Sequence, residues 1–391
     1  MKRRRVALAA GVLGVSVALT TAGCNPADDT THASKTVLIG ADLPLSGEHA
    51  AAGRVLRDAL RLQVRRLNEQ GAGEDTTLSL RVRDNRSAPN TSGANLRAFQ
   101  RDDKVTAAVT GGCDECLDAA TGLVATSRMP VISLSPVDLP GPLNGPRSAL
   151  FKLAPNPTDD AVALVELLVR EHAHRVALVA APGRYAEQAT AALTQAARSQ
   201  RLSLDTVRLD ASSDKVARSS LEHGGRMPDA VLVLTPPERT EGVVASLRGQ
   251  GFHGTVALDA TAVSDLFMTE NQLEDAYLVF PPILAMDDLV ASTPEKAAQK
   301  QWFDDYTSRY GSYAAASSFA GDAVQVIVAA VTAADGTKRS KLRDAIETLQ
   351  MDGLSGPIRF TPADHAGLTP QGLMVLRAAN GRWHLAGDDR R

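Results

Sequence analysis

Residues 105–136, VTAAVTGGCDECLDAATGLVATSRMPVISLSP, decide the fold. The run reads as strand, tight turn, helix, strand. Ala107, Ala108, Val109 and Thr110 are small or β-branched, and Gly111-Gly112 permit a sharp turn. Residues 117–125 then repeat apolar side chains at helical spacing, and Pro130-Val131-Ile132 begins a second apolar run. Two parallel strands joined by a helix make a βαβ unit. Loops after such strands open at one edge of the sheet, where ligands bind. Cys113, Asp114, Glu115 and Cys116 follow the first strand, and Ser135-Pro136 follows the second. The functional reading starts from these positions.

The same alternation extends in both directions. Upstream, Thr36-Val37-Leu38-Ile39-Gly40 is an apolar strand that runs into Pro44-Leu45-Ser46-Gly47. Val55, Leu56, Ala59, Leu60, Val64 and Leu67 then form one helical stripe. A strand is expected at 78–82 and a helix at 93–102. Downstream, residues 138–147 are rich in proline and glycine, and Phe151-Lys152-Leu153-Ala154-Pro155 reads as a crossover. Helices are then predicted at 159–171, from Tyr185 onward and at 238–248. Between them fall strands at 175–180, 202–209, 229–234, 255–258 (ending at Asp259) and 276–280. Pro281-Pro282 marks a second crossover. Helices at 295–308, 317–333 and 341–349 follow, and strands at 358–360 and 373–376 close the chain. Strands that alternate with helices at this pitch predict parallel sheets covered on both faces.

The composition fits that reading. The chain has 391 residues, 44% hydrophobic and 22% charged, which is enough for two domains with covered cores. A net charge of -3 gives no basic field, and aromatics at 4% offer no base-stacking surface, so no nucleic-acid partner is expected. At the N-terminus, Lys2-Arg3-Arg4-Arg5 is a positive segment, and residues 6–19 carry no charge. Together they read as a secretory signal over residues 1–23. The Ala22-Gly23-Cys24 that follows resembles the lipobox of bacterial lipoproteins, whose cysteine takes a diacylglycerol after cleavage. Thr21 stands where that pattern has leucine. Residues 24–35 are polar and without apolar period, as in a tether. The mature protein is therefore expected outside the cytoplasmic membrane, anchored through lipid on Cys24.

Cys113 and Cys116 then sit as C-x-x-C in an oxidising compartment. A local disulfide bracing the turn is the favoured reading. A redox pair at a helix N-terminus is a second, and a metal site a third. The third lacks ligands beyond Asp114 and Glu115, so no metal or cofactor is implied. Absent too are a G-x-S-x-G elbow, a phosphate-binding glycine loop and an H-E-x-x-H helix, so no enzyme activity is expected.

In order and spacing, Ile39-Gly40 with Pro44-Leu45-Ser46-Gly47, Leu67-Asn68 with Gly71, Val131-Ile132-Ser133, Phe151 with Ala154-Pro155, Gly183-Arg184-Tyr185, Gly251-Phe252, Phe319 with Asp322-Ala323 and the run GLSGPIRF at 353–360 resemble one family. It is the type I solute-binding proteins of ABC transporters, in the leucine/isoleucine/valine-binding branch. The resemblance covers nearly everything after residue 35. It implies two Rossmann-like α/β lobes with parallel sheets, joined by hinge crossovers and closing on a small ligand. Residues 36–155 with 282–355 would form one lobe, and 156–281 with 356–388 the other. It further implies a monomer that delivers a small molecule to an ABC permease. A ligand-sensing lipoprotein on the same scaffold is the alternative.

Carried over residue by residue, the family pocket falls on Leu45, Ser46, Asp114, Glu115, Ser135, Pro136, Tyr185, Pro236 and Asp259. The match is mixed. Asp114 or Glu115 stands where the family has serine, and Pro136 stands at a usual alanine. Ala260 stands where a glutamate holds the ligand ammonium, with Asp259 one residue earlier as a substitute. Tyr185 matches a tyrosine that packs on the ligand, and Pro236 falls near a second aromatic position. A carboxylate facing the ligand would disfavour an anionic group there and favour a cationic or neutral one. If both acids instead point outward, they merely cap the helix that begins beside them.

Overall fold

A computed structural model describes residues 35–71, 76–124, 127–146, 148–262 and 271–387. Cys24, the predicted signal and the predicted tether up to residue 34 lie outside these residues, and Lys35, the last residue of that expected tether, opens β1 instead. Among the described residues no helix is long and apolar enough to cross a membrane.

The first half of the alternation is β1 (Lys35–Leu43), α1 (Ala50–Gln70), β2 (Thr76–Asp84), α2 (Pro89–Arg101), β3 (Val105–Thr110), α3 (Leu117–Val124), β4 (Val131–Ser133) and β5 (Leu150–Lys152). These strands form one parallel sheet in the order β2-β1-β3-β4-β5. All six residues of β3 are buried, as expected of a strand covered on both faces. The turn after β3 works as the glycines predict. Gly112 has φ +74, and a Cβ on Gly111 would lie 2.7 Å from that of Leu134. The segment read as a crossover from Phe151 to Pro155 begins inside the edge strand β5, whose three residues are all buried, and the crossing follows at 153–156.

The second sheet is built from α4 (Pro157–Arg170), β6 (Arg175–Ala180), α5 (Arg184–Ser199), β7 (Ser203–Arg208), α6 (Arg218–Leu221), β8 (Ala230–Leu234), α7 (Pro237–Gly249), β9 (Thr255–Leu258) and β10 (Tyr277–Phe280). The predicted start of α4 at 159 moves back to Pro157, since proline suits the first helical position, where no N–H partner is needed.

The chain then returns to the first sheet. It forms α8 (Pro294–Tyr310), α9 (Ser317–Ala333) and α10 (Arg339–Ile346). The Tyr310 hydroxyl donates to the Asp58 carbonyl of α1 at 3.0 Å. The Arg339 guanidinium donates to the carbonyls of Phe99, Gln100, Asp102 and Val105 at 2.6–3.2 Å, closing the end of α2 and the start of β3. Next, β11 (Gln350–Gly353) and β12 (Gly356–Arg359) pair as a separate antiparallel hairpin. Hence the strand predicted at 358–360 joins neither large sheet. Last, β13 (Met374–Ala379) and β14 (Arg382–Leu385) extend the second sheet antiparallel. Its order is β14-β13-β10-β9-β8-β6-β7. The chain thus passes between the two sheets three times, after β5, after β10 and after β12.

Candidate functional site

Strand ends and helix starts gather five of the nine predicted positions into two clusters, Asp114 with Ser135 and Pro136 beside one sheet and Tyr185 with Asp259 beside the other. After β3, the turn runs through Cys113 and Cys116, which are joined by a disulfide. That outcome matches the favoured reading of the pair and removes the thiolates the other two would need. His49, Cys113 and Glu115 place one donor atom each within 4.8 Å, but the Cys113 sulfur is already bonded.

The disulfide turn separates the two acids. Glu115 is exposed, 3.9 Å from the His49 ring. Asp114 is turned inward, and its Oδ1 accepts a 2.5 Å hydrogen bond from the Ser135 hydroxyl at the end of β4. Burial pushes the Asp114 carboxyl above its ordinary value, against the pull of that hydroxyl. Ser135 is itself buried, and its Oγ also accepts from the Val137 N–H at 3.3 Å. Pro136 contributes its carbonyl, which receives the Lys152 ammonium at 2.7 Å.

Lys152 closes β5 and is fully buried. Its other hydrogen bond goes to Asn156 Oδ1 at 2.9 Å, just ahead of α4. Burial lowers its pKa to about 8, although the nearby carboxyls of Asp138, Asp160, Asp114 and Asp159 work to raise it. One ammonium therefore answers four acids. No sequence argument marked this lysine, although a charged residue inside an apolar three-residue strand was a signal for it.

The second cluster belongs to the other sheet. Tyr185, in the first turn of α5, is buried, and its hydroxyl donates to Asp160 Oδ2 at 3.3 Å. Asp160 lies in the first turn of α4 and is 2% exposed, with Oδ1 accepting no hydrogen bond among the described residues. Asp259 follows β9, is 1% exposed, and accepts from the Thr261 hydroxyl at 3.1 Å. Burial pushes its carboxyl up to about 6, opposed by the Tyr185 and Thr261 hydroxyls. Asp160 is driven well above the ordinary carboxylate range by burial and then by Asp259. The sequence reading missed Asp160, because Asp159-Asp160 at a helix start looks like ordinary dipole compensation.

Besides the exposed Glu115, three predicted positions stand apart from these clusters. Pro236 is exposed ahead of α7. Leu45 is half-buried and Ser46 exposed. Asp84 receives both the Leu45 N–H and the Ser46 hydroxyl, at 2.9 and 2.6 Å.

Contacts between the two sheets' loops border the site. Arg184 of α5 pairs with Asp118 of α3 at 2.7 Å, and the Asp138 N–H donates to Gln188 Oε1 at 3.0 Å. A cavity of about 280 Å³ opens beside the crossovers, lined by Asp138, Asn144, Asn156, Thr158, Asp159 and Asp364 among others. It is polar and acidic.

This architecture has known counterparts. The profile of a family described as periplasmic binding protein matches residues 36–382. Among solved structures, an extracellular ligand-binding receptor from Rhodopseudomonas palustris HaA2 is similar at 18% identity and a TM-score of 0.75, over 89% of this chain and 99% of that one. A leucine-binding protein from Thermotoga maritima is similar at 18% identity and a TM-score of 0.72, over 90% and 99%. A branched-chain amino acid transporter substrate-binding protein from Streptococcus pneumoniae, determined in complex with isoleucine, is similar at 18% identity and a TM-score of 0.70, over 89% and 98%. At these identities the structures speak for the fold. No match to the chain is found among curated protein sequences.

Proposed function

The chain belongs to the periplasmic binding protein family, and on that premise we propose that it is an extracytoplasmic receptor, held at the membrane by lipid on Cys24. It captures a small polar ligand, an amino acid or a related compound, between its lobes and delivers it to an ABC permease. One lobe carries β1–β5 with α8–α10 and the β11–β12 hairpin, and the other carries β6–β10 with β13 and β14, so the second return falls after β12 and not at the expected residue 355.

The observation that carries this reading is the placement of the polar clusters. Asp114 with Ser135 lies at the strand ends of one sheet. Asp160 with Tyr185 and Asp259 lies at helix starts and a strand end of the other. Lys152, at the junction between the sheets, senses acids from both. Buried polar groups gathered where the ends of two sheets approach, with only three chain crossings between them, form a site that domain closure can complete around a ligand.

The test is a thermal-shift screen of the mature chain against amino acids, amines, amides and sugars. It is followed by small-angle scattering with any ligand found. A ligand at a hundredfold excess over its Kd is expected to stabilise the fold by about 2.7 kcal/mol. Closure is expected to shrink the radius of gyration, and a scattering profile unchanged by every bound ligand sinks the receptor reading. Anchoring is checked separately. Labelled fatty acid is expected on the wild-type protein and not on Cys24→Ala.

A further inference from the structure

The receptor reading leaves the charge of the ligand open, and the chemistry of the cleft narrows it. Asp160 is 2% exposed, and its Oδ1 has no hydrogen-bond partner among the described residues. A buried carboxylate oxygen without a donor is costly to keep. The hydroxyl of Tyr185 reaches Oδ2 of the same group at 3.3 Å, and it also acts on Asp259. A phenol has one proton, so it cannot serve two carboxylates at once. Lys152, the buried cation nearby, donates to neutral acceptors, the Pro136 carbonyl and Asn156 Oδ1. At the facing strand ends, the Ser135 hydroxyl is already given to Asp114, so that end presents a carboxylate. An incoming carboxylate would meet Asp114 there with its donor taken.

We infer that the ligand is an organic cation, a primary or secondary amine without a free carboxylate, whose ammonium seats on Asp160 Oδ1 between Tyr185 and Asp259. The inference rests on the receptor reading. An ammonium supplies up to three donors and a full positive charge, so it completes Oδ1 and relieves the repulsion between Asp160 and Asp259 together.

The same placement links binding to protons. The groups that face Asp160 are Asp259, Lys152, Tyr185 and Asp159. Burial raises both Asp160 and Asp259, the latter to about 6, so near pH 5 the free cluster holds protons. A bound ammonium displaces a proton, and affinity is expected to climb up to tenfold per pH unit between about pH 5 and 6 for each proton released.

The test is calorimetric titration of the mature chain with isopentylamine, putrescine, leucine and a neutral amide. Isopentylamine and leucine share an ammonium and a branched chain and differ by the carboxylate. One of the two amines is expected to bind, with leucine at least tenfold weaker than the better one. Leucine or the amide binding more tightly than either amine overturns the inference and leaves the receptor reading standing. Silence from these four and from the wider thermal-shift screen overturns both. Asp160→Asn is expected to lose amine affinity at least tenfold with its unfolding midpoint unchanged or raised, and amine binding kept in that variant removes the seat. Wild-type titrations at pH 6 in two buffers of different ionisation enthalpy give a readout independent of the variant. Amine binding with no proton release there also overturns the inference.

Discussion

Two buried aspartates, one beside each sheet, have opposite surroundings. Asp42, at the end of β1, is fully buried and takes donors from Asn85 at 3.2 Å, Asn95 at 2.8 Å, Thr110 at 3.3 Å and Ser92. Asp160, at the start of α4, is nearly as buried and has one phenol at 3.3 Å and a bare oxygen. Side-chain type and burial are the same in both, so the number of donors separates them. A carboxylate with its lone pairs answered ties β1 to β2, α2 and β3. One left short of donors is available to a ligand.

That contrast breaks most readily by mutation. Asp42→Ala strands at least three buried donors, and it is expected to cost about 3–5 kcal/mol in urea unfolding. Asp160→Asn is expected to cost little or to stabilise. A mild Asp42→Ala beside a severe Asp160→Asn would invert the comparison.

The next effect is pH dependence. The folded-state value of Asp259, about 6, lies above its ordinary 3.8, so the folded state holds this proton more tightly than the unfolded state. The stabilisation is complete below about pH 4 and is lost as the pH rises to about 6, by an amount on the order of 3 kcal/mol. Asp259→Asn is expected to remove one proton's share of the slope across that window, leaving the share of Asp160, which is raised in the same direction. A slope unchanged by the substitution assigns the titration to another group. Replacing Cys113 and Cys116 by serine together follows in size. It opens a very short loop, for a loss of about 2 kcal/mol or less. The smallest change is Arg184→Ala. Its ion pair with Asp118 is partly exposed (side chains 30% and 65%), so a loss under about 1 kcal/mol is expected. A larger loss would show the loop contact holding the two sheets together.

Much of the fold was legible because strands covered on both faces must be unbroken apolar runs. Residues 230–234 carry that signature unbroken, 105–110 carry it with two β-branched threonines, and all are buried. The hairpin of β11 and β12 was not legible as such, because its four-residue strands are polar or contain proline and glycine and pair only with each other. In the candidate site, Tyr185 and Asp259 were expected through the family resemblance, and the inward turn of Asp114 was one of two open readings. Asp160 and Lys152 escaped for a shared reason. What distinguishes them is burial by segments far along the chain, and no local spacing records that.

The reach of Arg339 has a consequence in time. Its guanidinium caps carbonyls at residues 99, 100, 102 and 105, and β13 pairs with β10 from nearly a hundred residues downstream. Emerging from the ribosome in order, the chain holds all five strands of the first sheet by residue 152, but the Arg339 cap on that sheet and the strands β13 and β14 of the second come only in its last fifth. The second sheet is therefore the part of the molecule that must wait longest to lock.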